Sequence, residues 1–354
     1  MKRKWTLWIF GVLFIFLALF SSPKKVSAAS TDSNKGAKYT VQAEIPDNQI
    51  NKQVSFFDLK VRPGTSQDLK IKINNTDSKD HSYVVEVNRA TTNNNGIVDY
   101  SQHGLKPDSS LQLDIESIFP APEKVTVPAN STKEVTLKMN VPHSNFKGMV
   151  LGGIRVMQEN QVKKPKIIPG QKLSVQNQFA YILGLQIQRN TDTVKPDLKL
   201  TKAHVSKYNG QVDVAAQLQN DTPTLINEGE VKASITDQNG STKIIEADKK
   251  NLTIAPNSNF NLPVNTANQS LKPGKYTMRI AANGDNKTQK WNLAKNFTIT
   301  PSESKKLKKV AAQAPVSRTQ PNYRLIVTLA VIAALAIIAL LIWNFKLQRS
   351  GRRH

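Results

Sequence analysis

Leu69-Lys70-Ile71-Lys72-Ile73 alternates strictly between apolar and charged residues, and Asn74-Asn75 follows it at once. A period of two is the pattern of a β-strand that buries one face and exposes the other. Val135-Thr136-Leu137-Lys138-Met139 has the same period, and Tyr83-Val84-Val85-Glu86-Val87 nearly does. Turn-forming pairs such as Pro63-Gly64 separate these runs. Short alternating runs between frequent turns predict an all-β fold of the β-sandwich kind.

The second half of the chain repeats this arrangement of strand ends and turns. Asn74-Asn75-Thr76 ends one alternating run, and Val127-Pro128-Ala129-Asn130-Ser131 precedes another. Asn220-Asp221-Thr222 and Ile254-Ala255-Pro256-Asn257-Ser258 follow in the same order further along. Because the spacing differs between the halves, the recurrence indicates a repeated architecture and not a tandem repeat. We predict two Ig-like β-sandwich domains, at residues 38–190 and 196–300.

Two local signals agree with this division. Pro196 would interrupt a strand and residues 189–193 are polar, so the boundary is expected near residues 191–197. In the second half, Tyr276 follows the turn Lys272-Pro273-Gly274, which is the arrangement of the tyrosine corner in Ig-like domains.

The N-terminus has the pattern of a secretory signal peptide, which we predict at residues 1–28. Lys2-Arg3-Lys4 gives a positive start, and an apolar run continues to Phe20. Val26-Ser27-Ala28 then supplies small residues at the cleavage positions, so the rest of the chain is expected to be exported.

The C-terminal part predicts a single membrane anchor. Residues 325–343 form an uninterrupted apolar run, whose helix would be about 28 Å long, close to the thickness of a bilayer core. Residues 344–354 carry Lys346 and three arginines without an acidic residue, so this basic tail is expected in the cytoplasm. No LPxTG-like sorting signal precedes the helix, so the anchor should be retained. Residues 301–322, rich in Lys, Ala, Ser, Gln and Pro, predict a stalk of up to about 70 Å.

Composition restricts the possible functions. The chain has no cysteine, which excludes thiol nucleophiles and Cys-ligated metals, and its formal net charge is +23. A cysteine-free exported protein of small domains is typical of a Gram-positive bacterium. A basic exterior suits an anionic cell wall. Export, together with the lack of a basic cluster interleaved with aromatic residues, argues against a nucleic-acid partner.

Several stretches occur in the order found in one known family. They are Phe57-Asp58-Leu59 with Pro63-Gly64 and Gln67, Ala90–Gly96 with Tyr100, Phe146–Ile154, Asn177–Gly184, Pro196–Leu200 and Ala255–Phe260. Together they resemble the WxL-interacting proteins of Gram-positive bacteria, with Lys147 standing where the family would have an acidic residue. In this resemblance, Asn177–Gly184 corresponds to the opening of the family's second domain.

The resemblance implies two binding roles. The first domain of such proteins binds peptidoglycan. The second binds host extracellular-matrix proteins and takes part in complexes with WxL-domain proteins.

Five residues are candidates for ligand binding. Asn93, Asn94, Asn95 and Tyr100 lie in one loop, where amides and a phenol can hydrogen-bond and stack on sugars. The alternative is a loop that uses Asn and Gly because they tolerate positive φ. Trp291 lies outside the predicted signal and membrane segments, and Trp is common in binding hot spots. Packing in the core is the alternative for its large ring.

We predict no enzyme activity, no cofactor and no metal site. The five histidines are scattered and form no HExxH motif. Two SxxK matches, Ser144–Lys147 and Ser302–Lys305, lack the partner motifs SDN and KTG. The sequence thus favours a cell-surface scaffold and adhesion protein, held at the membrane and binding peptidoglycan, WxL-domain proteins and host matrix proteins. A membrane-tethered cell-wall enzyme and an extracellular assembly chaperone stay open as alternatives.

Overall fold

The computed structural model describes residues 37–159, 178–208, 211–237, 243–264, 271–285, 287–313 and 340–343. The strands are β1 (Tyr39–Glu44), β2 (Phe57–Lys60), β3 (Ser66–Asn75), β4 (His81–Arg89), β5 (Thr91–Thr92), β6 (Val98–Asp99), β7 (Glu123–Val127), β8 (Ser131–Asn140), β9 (Met149–Gln158), β10 (Ala180–Gln188), β11 (Leu198–Tyr208), β12 (Gln211–Asn220), β13 (Ile226–Asp237), β14 (Lys243–Ile254), β15 (Ser258–Val264), β16 (Gly274–Gly284) and β17 (Gln289–Ile299). The predicted all-β character is confirmed.

In the first domain, β1 to β10, two sheets enclose one core. One sheet has the order β1-β3-β8 and the other β2-β10-β9-β4-β7, and only β2 and β10 pair in parallel. The alternation of β3 follows the sequence, since Leu69, Ile71 and Ile73 are buried while Lys70 and Lys72 are exposed. The buried residues of both sheets belong to a single cluster.

A small hairpin and a 3-10 helix lie outside these two sheets. The hairpin pairs β5 with β6, and the helix spans Ile115–Ile118 after Asp114, whose side chain accepts from the Glu116 amide. The buried Arg89 at the end of β4 forms an ion pair with Asp114. The Arg89 amide also donates to Glu116 at 2.9 Å, which ties the 3-10 helix to the five-stranded sheet.

In the second domain, β11 to β17, the sheets have the orders β11-β12-β15 and β14-β13-β16-β17 around a second core. Tyr276 is the third residue of β16, and its hydroxyl donates to the Lys272 carbonyl at 2.8 Å. This hydrogen bond has the geometry that the turn and tyrosine predicted.

The recurrence in the sequence corresponds to a repeated strand order. When β2, β5 and β6 are set aside, each domain has its first, second and fifth strands in one sheet and the other four in the second, in the order fourth, third, sixth, seventh. Asn75 and Asn220 end the second strand of each set, and both are fully buried. Each donates its amide to the carbonyl four residues on, at 2.8 and 2.7 Å, and to a carbonyl of the turn before the fifth strand, that of Pro128 or Ala255. The repeated Asn is therefore a clamp between two turns.

The chain passes from the first domain to the second after β10. This strand hydrogen-bonds to β2 and β9, so residues 180–188 complete the first domain's sheet. Residues 189–197 have no strand structure and lead into β11.

The extended stalk predicted from Pro301 is wrong for its first half. Pro301–Gln313 is an α-helix, α1. Thr300 and Glu303 cap its start, because the Thr300 amide donates to Glu303 Oε2 at 2.9 Å and the Glu303 amide donates to Thr300 Oγ1 at 3.3 Å. Leu307 is 2 % exposed and belongs to the second core. The helix forms because this capping box starts it and an apolar side chain holds it to the domain.

Several predicted segments lie outside the described residues. These are the signal peptide (1–28), the rest of the stalk (314–322), most of the membrane segment (325–343) and the tail (344–354). Residues 340–343 are helical, and Leu340 to Trp343 are exposed. Among the residues that the structure describes, no helix has the length and apolar character needed to cross a membrane.

Candidate functional site

The two domains meet at a polar joint, and Thr92 of β5 lies at its centre. Thr92 and Ser258 are both buried, with their hydroxyl oxygens 2.7 Å apart. The Ala255 amide donates to Thr92 Oγ1 at 3.0 Å, and Ser258 Oγ donates to the Ala255 carbonyl at 2.9 Å. Because Ser258 uses its proton on that carbonyl, the Thr92 hydroxyl donates to Ser258 Oγ. The result is a closed ring of hydrogen bonds across the joint.

The turn between β5 and β6 packs closely on the second domain. Gly96 has φ +77°, and its carbonyl accepts from the Thr253 amide at 2.8 Å. A Cβ at Gly96 would lie 2.5 Å from Leu252 Cδ2. Glycine is required here both for the left-handed backbone and for this approach.

The three asparagines predicted to bind a ligand lie in this same turn. Asn94 Oδ1 accepts from the Asn261 amide of β15 at 3.2 Å. Asn93 Oδ1 accepts from the amides of Asn95 and Ile97, so its side chain stabilises the turn itself. Asn95 is exposed, while the other two are half-buried. The loop is thus used at the joint, and the structure does not bring its amides to one open surface.

Asp108 forms a second part of the joint. Its carboxylate accepts from the side-chain amides of Gln219 and Asn259 in the second domain, and from the Ser110 amide and hydroxyl. Burial alone would raise the pKa of Asp108, but these hydrogen bonds outweigh it and hold the pKa below its usual value. Asn257 adds a contact, since its Nδ2 donates to the Ser110 carbonyl at 3.0 Å.

A third contact of the joint lies at the start of β9. The Met149 amide donates to the Pro223 carbonyl at 2.8 Å. Gly148 has φ +64°, and a Cβ there would lie 2.3 Å from the same carbonyl oxygen. Three separate segments of the first domain therefore dock on the second.

Tyr100 lies on a different surface, the outer face of the five-stranded sheet. Gly153 of β9 is paired with Gly184 of β10, so two neighbouring positions on this face carry no side chain. A Cβ at Gly153 would be 3.1 Å from the Tyr100 ring and 2.8 Å from Ile182 Cγ2, and one at Gly184 would be 3.4 Å from the Phe56 ring. We call these five residues the glycine–aromatic cluster. Gly153 is buried, and the larger side chains cover the two glycines.

Polar groups with partners of their own border the cluster. Arg155 Nη1 lies 2.7 Å from Glu86 Oε1 in a largely buried ion pair. Gln186 Nε2 donates to Asp58 at 3.0 Å, while burial raises the pKa of Asp58.

Asn88 holds Tyr100 in its place over β9. Its Nδ2 donates to the Tyr100 carbonyl at 2.8 Å, and its Oδ1 lies 2.9 Å from His103 Nδ1. Asn88 is fully buried. Burial raises the pKa of the Tyr100 phenol.

Trp291 is not close to either surface in the fold. It lies on β17 opposite Ala282 and packs partly against the second core, with its ring 3.4 Å from the position of a Cβ at Gly284. Its ligand-binding role stays a prediction.

The sequence pattern pointed to Tyr100 but missed Phe56 and Ile182. Both are more than a third exposed, at 37 % and 41 %. The available signal was the glycine in each of the two motifs at residues 146–154 and 177–184. Gly152, next to Gly153, lies close to the backbone of β4, since a Cβ there would be 2.7 Å from the Asn88 carbonyl oxygen.

Comparison with family models identifies the class of protein. Residues 39–158 match the peptidoglycan binding domain of the WxL Interacting Protein family, and residues 170–309 match its host binding domain. The chain belongs to this family. The second match includes β10, although hydrogen bonds place that strand in the first domain, and it extends into α1.

Other comparisons are more distant. No curated protein sequence matches this chain. Among solved structures, a chain from a chaperone–tip adhesin complex of CFA/I fimbriae has 10 % identity and a TM-score of 0.30, covering 75 % of this chain and 100 % of that one. The E. coli chaperone DraB has 13 % identity and a TM-score of 0.25, with coverage of 74 % and 98 %. TM-scores this low carry no functional meaning.

Proposed function

We propose that this chain is a non-enzymatic scaffold of a Gram-positive cell surface that fixes two binding domains in one body. The observation that carries the proposal is the buried polar joint centred on Thr92. Three segments of the first domain supply hydrogen bonds to the second, and the ring of Thr92, Ser258 and Ala255 satisfies each of its members. A satisfied buried network favours a single arrangement, because any other leaves polar groups without partners.

The family domains suggest what each half binds. The first domain would bind peptidoglycan, since the family domain that it matches is named for that activity. The second would engage WxL-domain proteins, and host matrix proteins where the wall permits contact. The repeated division of seven strands between two sheets supports our assignment of both domains as Ig-like sandwiches.

Two predicted segments would determine where the scaffold lies in the cell envelope. A signal peptide at residues 1–28 and a retained membrane helix at residues 325–343 would leave both domains outside the cell, with a cytoplasmic tail. Because α1 packs on the second domain, only residues 314–324 separate it from the predicted anchor. Fully extended, they would reach about 40 Å. The protein would therefore act near the membrane, which favours a WxL partner over direct contact with a host.

An extracellular assembly chaperone is the second candidate. β14 is a twelve-residue edge strand of the second domain, and such an edge can accept a strand from a partner. Lys249 and Lys250 place charge on this edge, a device that opposes strand addition. The scaffold is therefore the better supported function.

A co-sedimentation experiment tests the proposal. The full-length chain should sediment with insoluble peptidoglycan and at the same time retain a co-expressed WxL-domain protein in the pellet. If the chain captures the WxL-domain protein but stays in the supernatant, the wall-binding half fails. Release of labelled fragments from the peptidoglycan would contradict the non-enzymatic half.

A further inference from the structure

The first domain has an open polar cleft of about 670 Å³ at one end of its sandwich. Residues 47–50 form one side of the cleft. The end of β2, the turn that follows it and the start of β3 form the other side. Clefts of about 300–1,000 Å³ have the size of small-ligand sites. We call this feature the polar cleft.

One side of the polar cleft is fixed to β2 by hydrogen bonds. The Lys60 amide donates to the Asn48 carbonyl at 3.0 Å. Gln49 is buried, and its Oε1 accepts from the Asp58 amide at 3.0 Å. Its Nε2 donates to the Phe56 carbonyl at 2.8 Å. The cleft is therefore shaped before a ligand arrives, which lowers the entropy lost on binding.

A pair of side-chain amides crosses the polar cleft. Asn48 Nδ2 donates to Gln67 Oε1 at 2.9 Å, and Gln67 Nε2 donates to Asn48 Oδ1 at 2.8 Å. Asn48 Nδ2 also donates to the Lys60 carbonyl at 2.9 Å, so both of its hydrogens are used. One N–H of Gln67 and a second lone pair on each oxygen have no partner among the described residues. A peptide unit offers the matching donor and acceptor.

Three charged side chains line the same cleft, namely those of Asp47, Lys60 and Arg62. All three residues are exposed, and the structure records no ion pair for any of them within its described part. The hydroxyl of Thr65 donates to the Arg62 carbonyl at 2.7 Å, which holds the backbone there while the guanidinium can reach a ligand. Two anionic groups and one cationic group on a ligand would complement these charges.

The lining of the cleft distinguishes among the polymers of a cell wall. None of the described residues that line it is aromatic, so sugar rings would find no stacking surface. A phosphate polymer can use only hydrogen-bond donors, and the Asp47 carboxylate would repel it. A short peptide uses the donor and the acceptors of the amide pair together with charges of both signs.

We propose that the polar cleft binds the peptide stem of peptidoglycan. In its lysine form, the stem carries two free carboxylates and one amine on a backbone of peptide units. Lys60 and Arg62 pair with the carboxylates, Asp47 pairs with the amine, and the amides of Asn48 and Gln67 bind a peptide unit. The proposal rests on the proposed function, because it places the wall binding of the first domain at named residues.

The test is isothermal titration calorimetry on the full-length chain in detergent, with three probes. They are the acetylated stem Ac-L-Ala-γ-D-Glu-L-Lys-D-Ala-D-Ala, an oligosaccharide of N-acetylglucosamine and a glycerol phosphate polymer. The unmodified chain should bind the stem and not the oligosaccharide. Raising the salt to about 1 M, where the Debye length is about 3 Å, should weaken stem binding because the charged groups are exposed.

Variants of the exposed charges place the site. Lys60→Ala/Arg62→Ala should bind the stem at least about tenfold more weakly, because two charge-assisted hydrogen bonds are lost. Lys133→Ala/Lys138→Ala removes the same charge from exposed positions of β8, outside the cleft, and should bind like the unmodified chain. Asp47→Asn should weaken binding of the stem, whereas it would strengthen binding of a phosphate polymer. Thermal unfolding of each variant must show that the fold is retained.

The outcomes separate this proposal from the broader one. Folded Lys60→Ala/Arg62→Ala protein that binds the stem as tightly as the unmodified chain overturns the cleft. Binding of the oligosaccharide or the phosphate polymer in place of the stem also overturns it. If the unmodified chain ignores the stem but sediments with insoluble peptidoglycan, the cleft fails and wall binding survives. If it neither binds the stem nor sediments, both fail together.

Discussion

The hydroxyl oxygens of Thr92 and Ser258 lie 2.7 Å apart across the joint between the two domains, although 166 positions separate them in the chain. The Ala255 backbone completes the ring on both sides. Two of the three hydrogen bonds join Thr92 of the first domain to residues of the second. The ring therefore forms only when the two domains dock in this arrangement. We infer that this relationship holds the two consecutive domains as one body.

Removing the Thr92 hydroxyl should weaken the joint. Thr92→Val keeps the shape but leaves the Ala255 amide without its acceptor, so the free energy of unfolding should fall by about 1–3 kcal/mol. Thr92→Ser keeps the hydroxyl and serves as the matched control, with a clearly smaller loss. Urea unfolding measures both, and equal stabilities of the valine and serine variants would contradict the ring.

A methyl group at Gly96 should separate the domains. Gly96→Ala combines a positive φ with a clash against Leu252, whereas Gly104→Ala has a similar φ of +70° and no atom within 4 Å of its Cβ. Both variants therefore strain the backbone, but only Gly96→Ala should also disturb the docking of the two domains. We expect limited proteolysis near residues 189–197 to accelerate several-fold in Gly96→Ala alone. The same acceleration in both variants would assign the effect to strain.

Acid should loosen the joint through Asp108. Its pKa is lower in the folded protein than in the unfolded chain, so the carboxylate stabilises the fold above the unfolded value of about 3.9. That contribution is lost as the pH falls through the folded pKa. Asp108→Asn should remove this part of the pH dependence of urea unfolding, while Asp99→Asn, outside the joint, should not. If the stability of Asp108→Asn falls with pH just as that of the unmodified chain does, Asp108 does not stabilise the joint in this way.

The docking of α1 depends on Leu307. Leu307→Ala removes a buried side chain from the second core and should lower the free energy of unfolding by about 2 kcal/mol or more. Ser304→Ala should have a smaller effect, through its 2.8 Å hydrogen bond to the Leu271 carbonyl. Lys305→Ala, on the exposed side of the helix, is the control. Thermal unfolding that does not distinguish Leu307→Ala from this control would mean that the helix is not held by the core.

Local sequence patterns predicted the strands well because the alternation of apolar and polar residues lies within each strand. The alternation at Leu69–Ile73 buries one face, and the Asn of each turn motif proved to be the clamp at Asn75 and Asn220. The helix α1 was missed even though Thr300-Pro301-Ser302-Glu303 contains a capping box and a proline at the first helical position. Its lysines were interpreted as a solvated stalk.

The site was less predictable because its contacts join distant parts of the chain. Asn93 to Gly96 has the residue types of a binding loop, but its contacts with Leu252, Thr253 and Asn261, about 160 residues away, make it a docking surface. Tyr100 was chosen for its chemistry. Its neighbours Phe56 and Ile182 depend on the pairing of β2, β10 and β9, which no local pattern specifies.

The distance between the two domains tests the account most directly. The chain has no cysteine, so Lys138→Cys on β8 and Lys295→Cys on β17, both at exposed positions, can carry one spin label each. In the full-length chain, pulsed electron paramagnetic resonance should give a single narrow distance distribution, and adding Gly96→Ala should broaden it. A broad distribution in the chain with an intact Gly96 would mean that the domains move independently and would contradict the scaffold.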